Sequence, residues 1–567
     1  MPLDRLHRTL RAVFGLKELR PGQETVIRRV LHGSPTVAIM PTGAGKSLCY
    51  QLPATMLPGA TVVVSPLIAL MKDQCDRLRA LGIAAVQLNS SLAAEELVAA
   101  ERSIDSGEAR VIFTTPERLS DPEFVKRVAK HPVSLLTVDE AHCISQWGHD
   151  FRPAFLDIGN ALAPLGRPTV LALTATATQA VIDDIGTQLG IGDFGVVNTG
   201  VYRPNLIFAV EQVRRDEEKA ERLLAAVRDF DGSGIIYTAT VAAANEVLAA
   251  LETAGESVTV YHGRLATGVR HANQDAFMGG RARIMVATNA FGLGIDKRDI
   301  RFVLHYQMPG GLDAYYQESG RAGRDGQDAH CMLLYLHKDK AVQQFFLAGK
   351  YPALEDVVAV YRALRDAPPE CAAALSVDAL LDALDRPRSK VQVALSLLRH
   401  QQVIEQSSDG SLSVRTADLD DRAVEELAKA YRTKRESDRA LLEQMVFYGQ
   451  SGYCRWRVLL THFGESDGFT RCGHCDNCAR MQAEERERPA DPVVPARPLR
   501  KPNAEPLRLK PFDKGAPVRV PHYGIGIVEE ADGHTVTVRF ASGSARCFLT
   551  NYVSHARRRR PSSTRSA

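Results

Sequence analysis

The chain has 567 residues, of which 45% are hydrophobic and 24% charged, and its formal net charge is +3. This length exceeds what one hydrophobic core supports, so we expect about three to five domains. The near-neutral balance excludes nucleic-acid binding through global charge alone and leaves only local patches. No apolar run approaches the roughly 20 residues of a bilayer-spanning helix, and residues 1–15 lack an apolar signal core, so we expect a cytoplasmic protein without a membrane partner.

A glycine-rich turn follows the apolar run 37–39 and leads into a segment that can continue as a helix. In this arrangement, backbone N–H groups and a helix N-terminus cradle phosphate oxygens. We expect Lys46 to reach the β- and γ-phosphates and the Ser47 hydroxyl to bind Mg²⁺. Met40 stands where the strict phosphate-loop pattern has glycine. The predicted nucleotide-binding residues of this turn are Thr42, Gly43, Ala44, Gly45, Lys46 and Ser47.

Short apolar, β-branched runs alternate with helical segments through the first 200 residues. Such alternation predicts a parallel sheet wrapped by helices, with chemistry at the carboxyl ends of the strands. The runs are 37–39, 62–64, 111–114, 135–138 and 170–173. Asp139 and Glu140 follow one of them. We expect Asp139 to hold Mg²⁺ through water and Glu140 to polarise the attacking water, although the dipeptide alone is equally typical of a solvated acidic turn.

A second alternating series begins after Gly200 and predicts another α/β domain, without a phosphate loop of its own. Its apolar runs are 234–238, 258–261, 283–287 and 300–306. Further along, Arg321 and Arg324 stand three residues apart, which predicts one shared helical face. Two arginines aimed at a phosphate held by the other half would stabilise charge on the γ-phosphoryl group. A solvated charged face is the alternative.

Arg20 and Gln23 lie upstream of the glycine-rich turn. The Gln23 amide can donate and accept hydrogen bonds at once, which suits the edge of adenine. We therefore expect both residues to contact the nucleotide.

Residues 14–326 together resemble the RecQ branch of superfamily 2 DNA helicases, with the motifs in the expected order. The resemblance implies two RecA-like domains that close on ATP in their cleft and step along single-stranded DNA in the 3′-to-5′ direction. It further implies the unwinding of forked DNA in repair and recombination by a cytoplasmic, nucleoid-associated enzyme. It assigns adenine recognition to Gln23 and catalytic contacts to Lys46, Glu140, Gln317, Arg321 and Arg324.

Residues 141–153 resemble the aromatic-rich loop by which RecQ enzymes sense DNA. Trp147 and Phe151 offer ring faces for base stacking, and Arg152 offers a planar positive charge. Gln146 completes the predicted DNA-binding group. The alternative is that Trp147 merely packs in the core.

Four cysteines form a C-x-x-C-x-x-C core with one distant partner, and they are Cys454, Cys472, Cys475 and Cys478. Four thiolates can close a tetrahedral zinc site with no open position, which makes the metal structural. In a reducing compartment, this pattern favours a metal site over a disulfide framework. His474 could replace one thiol, although the match to the RecQ zinc-binding region supports the all-cysteine site.

The stretch before the zinc site predicts three helices and a hairpin, which is typical of a winged helix. The predicted helices are 354–364, 376–384 and 388–399, and the hairpin strands are 403–405 and 411–414. In better-known RecQ proteins such a domain follows the zinc site, whereas here it precedes it. A helical insert that only packs is the alternative.

The C-terminal part begins with residues 481–510, whose prolines and mixed charges predict an extended linker. Residues 515–540 alternate strands around an Asp-Gly turn and predict a small antiparallel barrel. It resembles the Tudor-like tail module of UvrD-type helicases. The last residues predict a basic disordered tail that touches phosphates or is only solvated. We expect a single-stranded-DNA-binding protein or RNA polymerase as partner of these modules.

The expected fold class is multidomain α/β. The predicted parts are a first RecA-like domain at 1–200, a second at 201–345, a helical zinc-binding region at 346–480 with a winged-helix insert at about 354–416, a linker at 481–510, a Tudor-like β-barrel at 511–554 and a tail at 555–567. We expect ATP, Mg²⁺ and Zn²⁺ as cofactors and single-stranded and forked DNA as partners. Two other functions stay open, an RNA helicase and a DNA- or polymerase-binding adaptor with a relic motor.

Overall fold

A computed structural model describes most of the chain, and statements about its structure concern these residues. They are 3–90, 92–145, 152–292, 297–350, 354–367, 377–400, 403–406, 411–415, 421–466, 468–487, 512–520, 524–531, 535–541, 545–549 and 553–556. The chain divides into two units, Met1–Arg488 and Pro489–Ala567. Within the described part, none of the helices combines the length and the apolar character that crossing a membrane requires.

The first α/β domain is built on a seven-stranded sheet in the order β3-β4-β2-β5-β6-β1-β7, in which every pairing is parallel. Its strands are β1 Thr36–Ile39, β2 Ala60–Val64, β3 Ala85–Leu88, β4 Val111–Thr114, β5 Val133–Val138, β6 Thr169–Thr174 and β7 Gly195–Asn198. The five central strands coincide with the apolar runs of the sequence. The two edge strands were not predicted, because Gln87 interrupts the apolar residues of β3 and because β7 alternates half-buried with exposed residues.

Helices cover both faces of this sheet, and the apolar strand residues are divided between one hydrophobic core on each face. The helices are α1 Leu3–Phe14, α2 Gln23–Leu31, α3 Leu48–Ala54, α4 Ile68–Ala80, α5 Ala94–Asp105, α6 Pro116–Leu119, α7 Pro122–Val128, α8 Ile158–Ala161 and α9 Gln179–Gln188. Two 3-10 turns, Ala141–Ile144 and Pro153–Asp157, flank the segment that follows β5. The Asp121 side chain accepts the Glu123 N–H at 3.0 Å and so begins α7.

The second α/β domain has a six-stranded parallel sheet in the order β10-β11-β9-β12-β13-β8. Its strands are β8 Leu206–Val213, β9 Ser233–Tyr237, β10 Val258–Tyr261, β11 Ile284–Ala287, β12 Ile300–His305 and β13 Ala329–Leu336. Its helices are α10 Asp216–Asp229, α11 Val241–Thr253, α12 Thr267–Met278 and α13 Leu312–Ser319. The prediction of two parallel-sheet domains is thus confirmed.

A mainly helical part follows the second sheet. Its elements are α14 Asp339–Lys350, α15 Leu354–Arg365, α16 Val377–Ala383, α17 Arg388–His400, β14 Ile404–Gln406, β15 Leu412–Val414, α18 Asp421–Gln450, α19 Arg455–His462 and α20 Asp476–Glu487. Helices α15 to α17 and the antiparallel pair of β14 and β15 share a hydrophobic core of their own. These elements lie where the sequence predicts them, while Ser376, the expected cap of α16, lies outside the described residues.

The zinc region, by which we mean residues 451–487, packs against strand β8 at the edge of the second sheet. The indole Nε1 of the fully buried Trp456 donates to the Leu206 carbonyl at 3.1 Å. The Val210 N–H donates to the Asp476 carboxylate at 3.0 Å. Trp456 also meets Phe208 edge-on, with 5.0 Å between ring centroids. The zinc region and the second domain therefore share one core.

The C-terminal unit contains a five-stranded antiparallel sheet in the order β19-β18-β17-β16-β20. Its strands are β16 Pro517–Val520, β17 Gly524–Ala531, β18 Thr535–Phe540, β19 Ala545–Leu549 and β20 Ser554–His555. Valines from β16, β17 and β18 form its core. The expected Asp-Gly turn, the basic tail from residue 557 and residues 488–511 lie outside the described residues. The linker prediction was wrong at its start, because α20 continues to Glu487.

Candidate nucleotide and zinc sites

The glycine-rich turn joins the carboxyl end of β1 to α3, as the sequence predicts. Gly43 and Gly45 have φ angles of +88° and +81°, in the left-handed region that favours glycine. A β-carbon at Gly45 would lie 2.7 Å from Gln23 Nε2, so a side chain here would displace that amide. Ser47 occupies the N-cap position of α3, and the Lys46 ammonium donates to the Met40 carbonyl at 3.2 Å.

Gln23 and Arg20 both hold the backbone of this turn. The Gln23 Oε1 accepts the Arg20 N–H at 2.8 Å, and its Nε2 donates to the carbonyls of Ala44 at 3.1 Å and Gly45 at 2.9 Å. The Arg20 guanidinium donates to the Gly43 carbonyl. Both donor hydrogens of the Gln23 amide are thus engaged by the turn, which leaves one acceptor site for another partner. Recognition of adenine by Gln23 stays a prediction.

Asp139 and Glu140 lie at the carboxyl end of β5. Burial and the neighbouring Glu140 charge raise the pKa of Asp139 to about 7, while Lys46 acts in the opposite direction. Two adjacent carboxylates, one of them buried, favour a cation between them and the turn. Glu140 has a φ angle of 51°, which is rare outside glycine and costs on the order of 1–3 kcal/mol. The fold thus holds the backbone of Glu140 in a strained conformation.

His142 links the acidic pair to the neighbouring strand. The ring is buried, and its Nδ1 lies 3.0 Å from Thr174 Oγ1 and 3.5 Å from Glu140 Oε2. Thr174 ends β6 and donates to the Thr176 carbonyl at 2.8 Å. The carboxyl ends of β5 and β6 are therefore connected through polar side chains beside Glu140. The sequence shows His142 two residues after Glu140, but it does not reveal the Thr174 contact.

Arg321 and Arg324 approach the glycine-rich turn from the second domain. A β-carbon at Gly43 would lie 3.5 Å from Arg324 Cγ, so the arginine stem lies against the turn. Arg321 is 5% exposed and lies beside Gly292, where a β-carbon would be 2.6 Å from its guanidinium. The expectation of a shared helical face was wrong, because α13 ends at Ser319 and both arginines lie in the turn that follows.

A cavity of about 470 Å³ is lined both by the glycine-rich turn and the acidic pair of the first domain and by the two arginines of the second domain. Among the residues that line it are Arg20, Gln23, Thr42, Gly43, Gly45, Lys46, Ser47, Asp139, Glu140, Gln317, Arg321 and Arg324. Ala44, which is not among them, contributes its carbonyl to Gln23. Arg298 also lines the cavity and was not predicted. Its sequence signal is a basic residue shortly after a glycine-rich loop.

Three of the four predicted DNA-binding residues lie outside the described part of the chain. They are Gln146, Trp147 and Phe151. Arg152 is half-buried, and its N–H donates to the Cys143 carbonyl at 3.0 Å. The DNA-binding assignment of these residues therefore stays a prediction.

The structure brings the four predicted zinc ligands together, with their sulfur atoms within 4.8 Å of one another. The Sγ atoms of Cys472 and Cys478 are 3.9 Å apart, and those of Cys475 and Cys454 are 4.0 Å apart. Four sulfurs placed about 2.3 Å from a zinc ion at the corners of a tetrahedron would be about 3.8 Å apart. The donor set and its spacing therefore fit zinc.

Backbone N–H groups point at these sulfur atoms, which favours thiolates. Cys472 N–H donates to Cys454 Sγ at 3.2 Å, and Cys475 N–H donates to Cys472 Sγ at 3.3 Å. Hydrogen bonds from the Cys472 and Cys475 thiols lower the pKa of Cys454, whereas the same contact raises that of Cys472, since one thiol keeps the shared proton. His474 does not belong to this group, and its Nδ1 lies 3.0 Å from the Cys472 carbonyl.

Three family models match parts of this chain. Residues 20–185 match the DEAD/DEAH box helicase family, 218–326 the helicase conserved C-terminal domain, and 398–479 the RecQ zinc-binding family. The ATP-dependent DNA helicase RecQ of Bacillus subtilis is 44% identical over 61% of this chain and 58% of its own length. The probable ATP-dependent DNA helicase RecS of the same organism is 34% identical over 83% of this chain and 92% of its own length.

Among solved structures, the Mycobacterium smegmatis helicase Lhr bound to single-stranded DNA and AMP-PNP shares the fold, with a TM-score of 0.51. The two are 22% identical, and the match covers 76% of this chain and 62% of Lhr. The chain spans little more than half the length of the RecQ proteins of Bacillus subtilis and Haemophilus influenzae, 58% and 55%. From its motif order, its paired parallel sheets, its cysteine cluster and these relatives, the chain belongs to the RecQ family of ATP-dependent DNA helicases.

Proposed function

We propose that this chain is an ATP- and Mg²⁺-dependent DNA helicase that steps along single-stranded DNA in the 3′-to-5′ direction and unwinds duplex DNA. One observation carries the proposal, the position of Arg324 against Gly43. A nucleotide bound at the glycine-rich turn would contact both domains, so that its cleavage changes the contact between them. Two domains that meet across a nucleotide are what a translocating motor needs.

The roles follow from the positions of the side chains. Lys46 would neutralise the β- and γ-phosphates, while Ser47 and Asp139 would hold Mg²⁺, the Lewis acid that neutralises charge on the phosphates. Glu140 would orient and deprotonate the attacking water. Arg321 and Arg324 would stabilise the charge that develops on the γ-phosphoryl group, and Gln317 would contact the nucleotide from α13. Hydrolysis would then weaken the hold of the second domain.

The partners are proposed from the relatives and from the sequence. Lhr in its solved complex binds single-stranded DNA, and we extend this to the present chain with Gln146, Trp147, Phe151 and Arg152 as its sensor. We interpret helices α15 to α17 with β14 and β15 as a winged helix, and the C-terminal sheet as a Tudor-like barrel. A single-stranded-DNA-binding protein or RNA polymerase would bind these modules. The cysteine cluster would hold a structural zinc, in an enzyme of the cytoplasm that acts on the nucleoid.

The test is ATP turnover measured without nucleic acid, with single-stranded DNA and with single-stranded RNA. We expect DNA to stimulate turnover, and we expect Lys46→Ala to reduce it by about 10²–10³-fold while DNA binding persists. Lys126→Ala is the matched control, because Lys126 belongs to the same domain but is 72% exposed and pairs with Glu123 on the surface. Stimulation by RNA alone would favour the RNA helicase, and no turnover under any condition would favour the adaptor.

Direction is tested with partial duplexes that carry either a 3′ or a 5′ single-stranded tail. We expect strand separation only when the loading strand has a 3′ tail, and only with ATP and Mg²⁺. Unwinding from a 5′ tail would contradict the proposed polarity without affecting the assignment of the ATP site.

A further inference from the structure

The segment 199–205, here called the interdomain linker, joins β7 of the first domain to β8 of the second. Arg203 on this linker is half-buried, and its guanidinium donates three hydrogen bonds to backbone carbonyls. The acceptors are Gly320 at 2.8 Å, Ala322 at 2.8 Å and Gly323 at 2.6 Å. These carbonyls belong to the turn that carries Arg321 and Arg324. One linker side chain therefore fixes the backbone on both sides of Arg321.

A second linker residue supports the same turn. The Asn205 amide donates to the Gly323 carbonyl at 2.9 Å and to the Gln327 carbonyl at 2.8 Å. Gly323 has a φ angle of 57°, so this turn departs from helical geometry between the two arginines. Backbone hydrogen bonds from the Arg321 N–H to the Glu318 carbonyl and from the Ala322 N–H to the Ser319 carbonyl hold the start of this turn, and the carbonyl groups that follow need donors from elsewhere. Arg203 and Asn205 supply those contacts here.

The other side of the linker is held by the zinc region. Glu465 accepts the Asn198 amide at 2.8 Å with one carboxylate oxygen and the Val201 N–H at 2.7 Å with the other. The Tyr202 ring meets Trp456 edge-on, with centroids 4.8 Å apart, and meets Phe469 at 5.2 Å. The zinc region thus contacts both ends of the segment from Asn198 to Tyr202.

The linker is also tied to the strand that precedes the phosphate-binding turn. The Thr199 N–H donates to the Ile39 carbonyl at 3.0 Å, and its hydroxyl lies 3.3 Å from the same oxygen. Ile39 is the last residue of β1. A single stretch of seven residues therefore contacts the end of β1, the zinc region and the arginine turn.

We propose that the interdomain linker positions Arg321 and Arg324 over the nucleotide, with Arg203 as the positioning residue, and that Glu465 makes this position depend on the zinc region. The inference rests on the proposed function, since it assigns the arginines to the nucleotide. Arg203 is not among the residues that line the cavity; it acts through the turn it supports.

The first test is Arg203→Lys, which keeps the positive charge but cannot span three carbonyls as the planar guanidinium does. We expect ADP affinity within twofold of wild type, because Lys46 and Ser47 are untouched. We expect DNA-stimulated kcat and the affinity for ADP–aluminium fluoride, which mimics the transferring phosphoryl group, to fall together by about 10- to 100-fold. A loss of folding stability alone would change the affinities for ADP and for ADP–aluminium fluoride to the same degree.

Arg283→Lys is the matched control in the same domain. Arg283 also donates to several backbone carbonyls, those of Gly232, Val227 and Phe230, but these lie away from the arginine turn. We expect its stability to drop like that of Arg203→Lys while kcat and aluminium fluoride binding remain near wild type. Equal kcat in the two variants, with an active wild type, would overturn the inference.

The second test is Glu465→Gln, with Glu485→Gln as control, because Glu485 pairs with Arg471 inside the zinc region without touching the linker. Glutamine replaces one of the two accepting oxygens of Glu465 with an NH2 group, which cannot accept, so one of the two hydrogen bonds is lost. We therefore expect the same selective loss in smaller degree, about 3- to 10-fold. If Arg203→Lys does not fold, the comparison of Glu465→Gln with Glu485→Gln tests the inference instead. A wild type without DNA-stimulated turnover would overturn the proposed function itself, which separates the two failures.

Discussion

Gly45→Ala perturbs the contact between the phosphate-binding turn and Gln23 in a way that can be estimated from the geometry. The left-handed backbone, at φ +81°, costs an alanine about 1–2 kcal/mol. The added methyl would lie 2.7 Å from Gln23 Nε2, so the amide must move away from the carbonyls of Ala44 and Gly45. Two hydrogen bonds of about 0.5–1.5 kcal/mol each are lost.

The total is about 2–5 kcal/mol. If ATP binds the turn in this conformation, the cost appears in its affinity at 1.36 kcal/mol per tenfold. We therefore expect the Kd for ATP to rise by about 30-fold to a few thousandfold. The measurement is an equilibrium titration with a fluorescent ATP analogue, in the presence of Mg²⁺ and without DNA.

Gly43→Ala is the matched control, since Gly43 has a similar φ of +88° but its β-carbon would lie at an ordinary 3.5 Å from Arg324 Cγ. Only the backbone strain applies, so we expect a loss of about 5- to 30-fold. In a Gln23→Ala background, the penalty of Gly45→Ala should shrink to that of Gly43→Ala. If Gly45→Ala binds ATP within threefold of Gly43→Ala in the wild-type background, the assigned role of Gln23 is refuted.

Three further predictions concern other parts of the chain. Cys475→Ser should reduce zinc from about one ion per chain to near none and lower the melting temperature, as measured by elemental analysis and calorimetry. Trp147→Ala should leave nucleotide binding intact but remove the stimulation of ATP turnover by DNA, as measured by titration and steady-state kinetics. Trp456→Phe removes the hydrogen bond to the Leu206 carbonyl and leaves that buried acceptor unpaired, so it should destabilise the protein by about 1–3 kcal/mol in urea unfolding.

Each of these has a contradicting result. Full zinc content in Cys475→Ser would exclude this cysteine as a ligand, and Cys331→Ser, a buried thiol elsewhere, is the control. Undiminished stimulation by DNA in Trp147→Ala would reject the sensor role. An unchanged unfolding midpoint in Trp456→Phe would mean that the contact to the second domain contributes little.

The features that depend on local sequence could be predicted. Runs such as 62–64 and 135–138 are continuous and β-branched, so their burial in a parallel sheet follows from composition. The cysteine set follows from its spacing, and the phosphate turn from its two glycines. Apart from the more distant Cys454, the residues that act together are neighbours in the chain or belong to a short pattern.

The features that depend on distant contacts could not be predicted. Glu465 and Asn198 are far apart in sequence, and nothing near either residue indicates the pairing. The end of α13 was missed because Ser319 and Gly320 do not interrupt the helical pattern strongly, while the turn after them is fixed by Arg203 from another segment. Likewise, the hydrogen bonds from Gln23 to the backbone of the turn are visible only in the structure.

The docking of the zinc region on strand β8 has a consequence for solubility. A strand at the end of a sheet carries unpaired backbone groups that can recruit a strand from another molecule. Here the Asp476 carboxylate accepts a hydrogen bond from the Val210 N–H, and the Trp456 indole donates one to the Leu206 carbonyl. Removal of the metal would weaken the packing of the zinc region on β8 and expose this edge strand to pairing with another molecule. Zinc in this family member would then protect the molecule from aggregation as well as shape it.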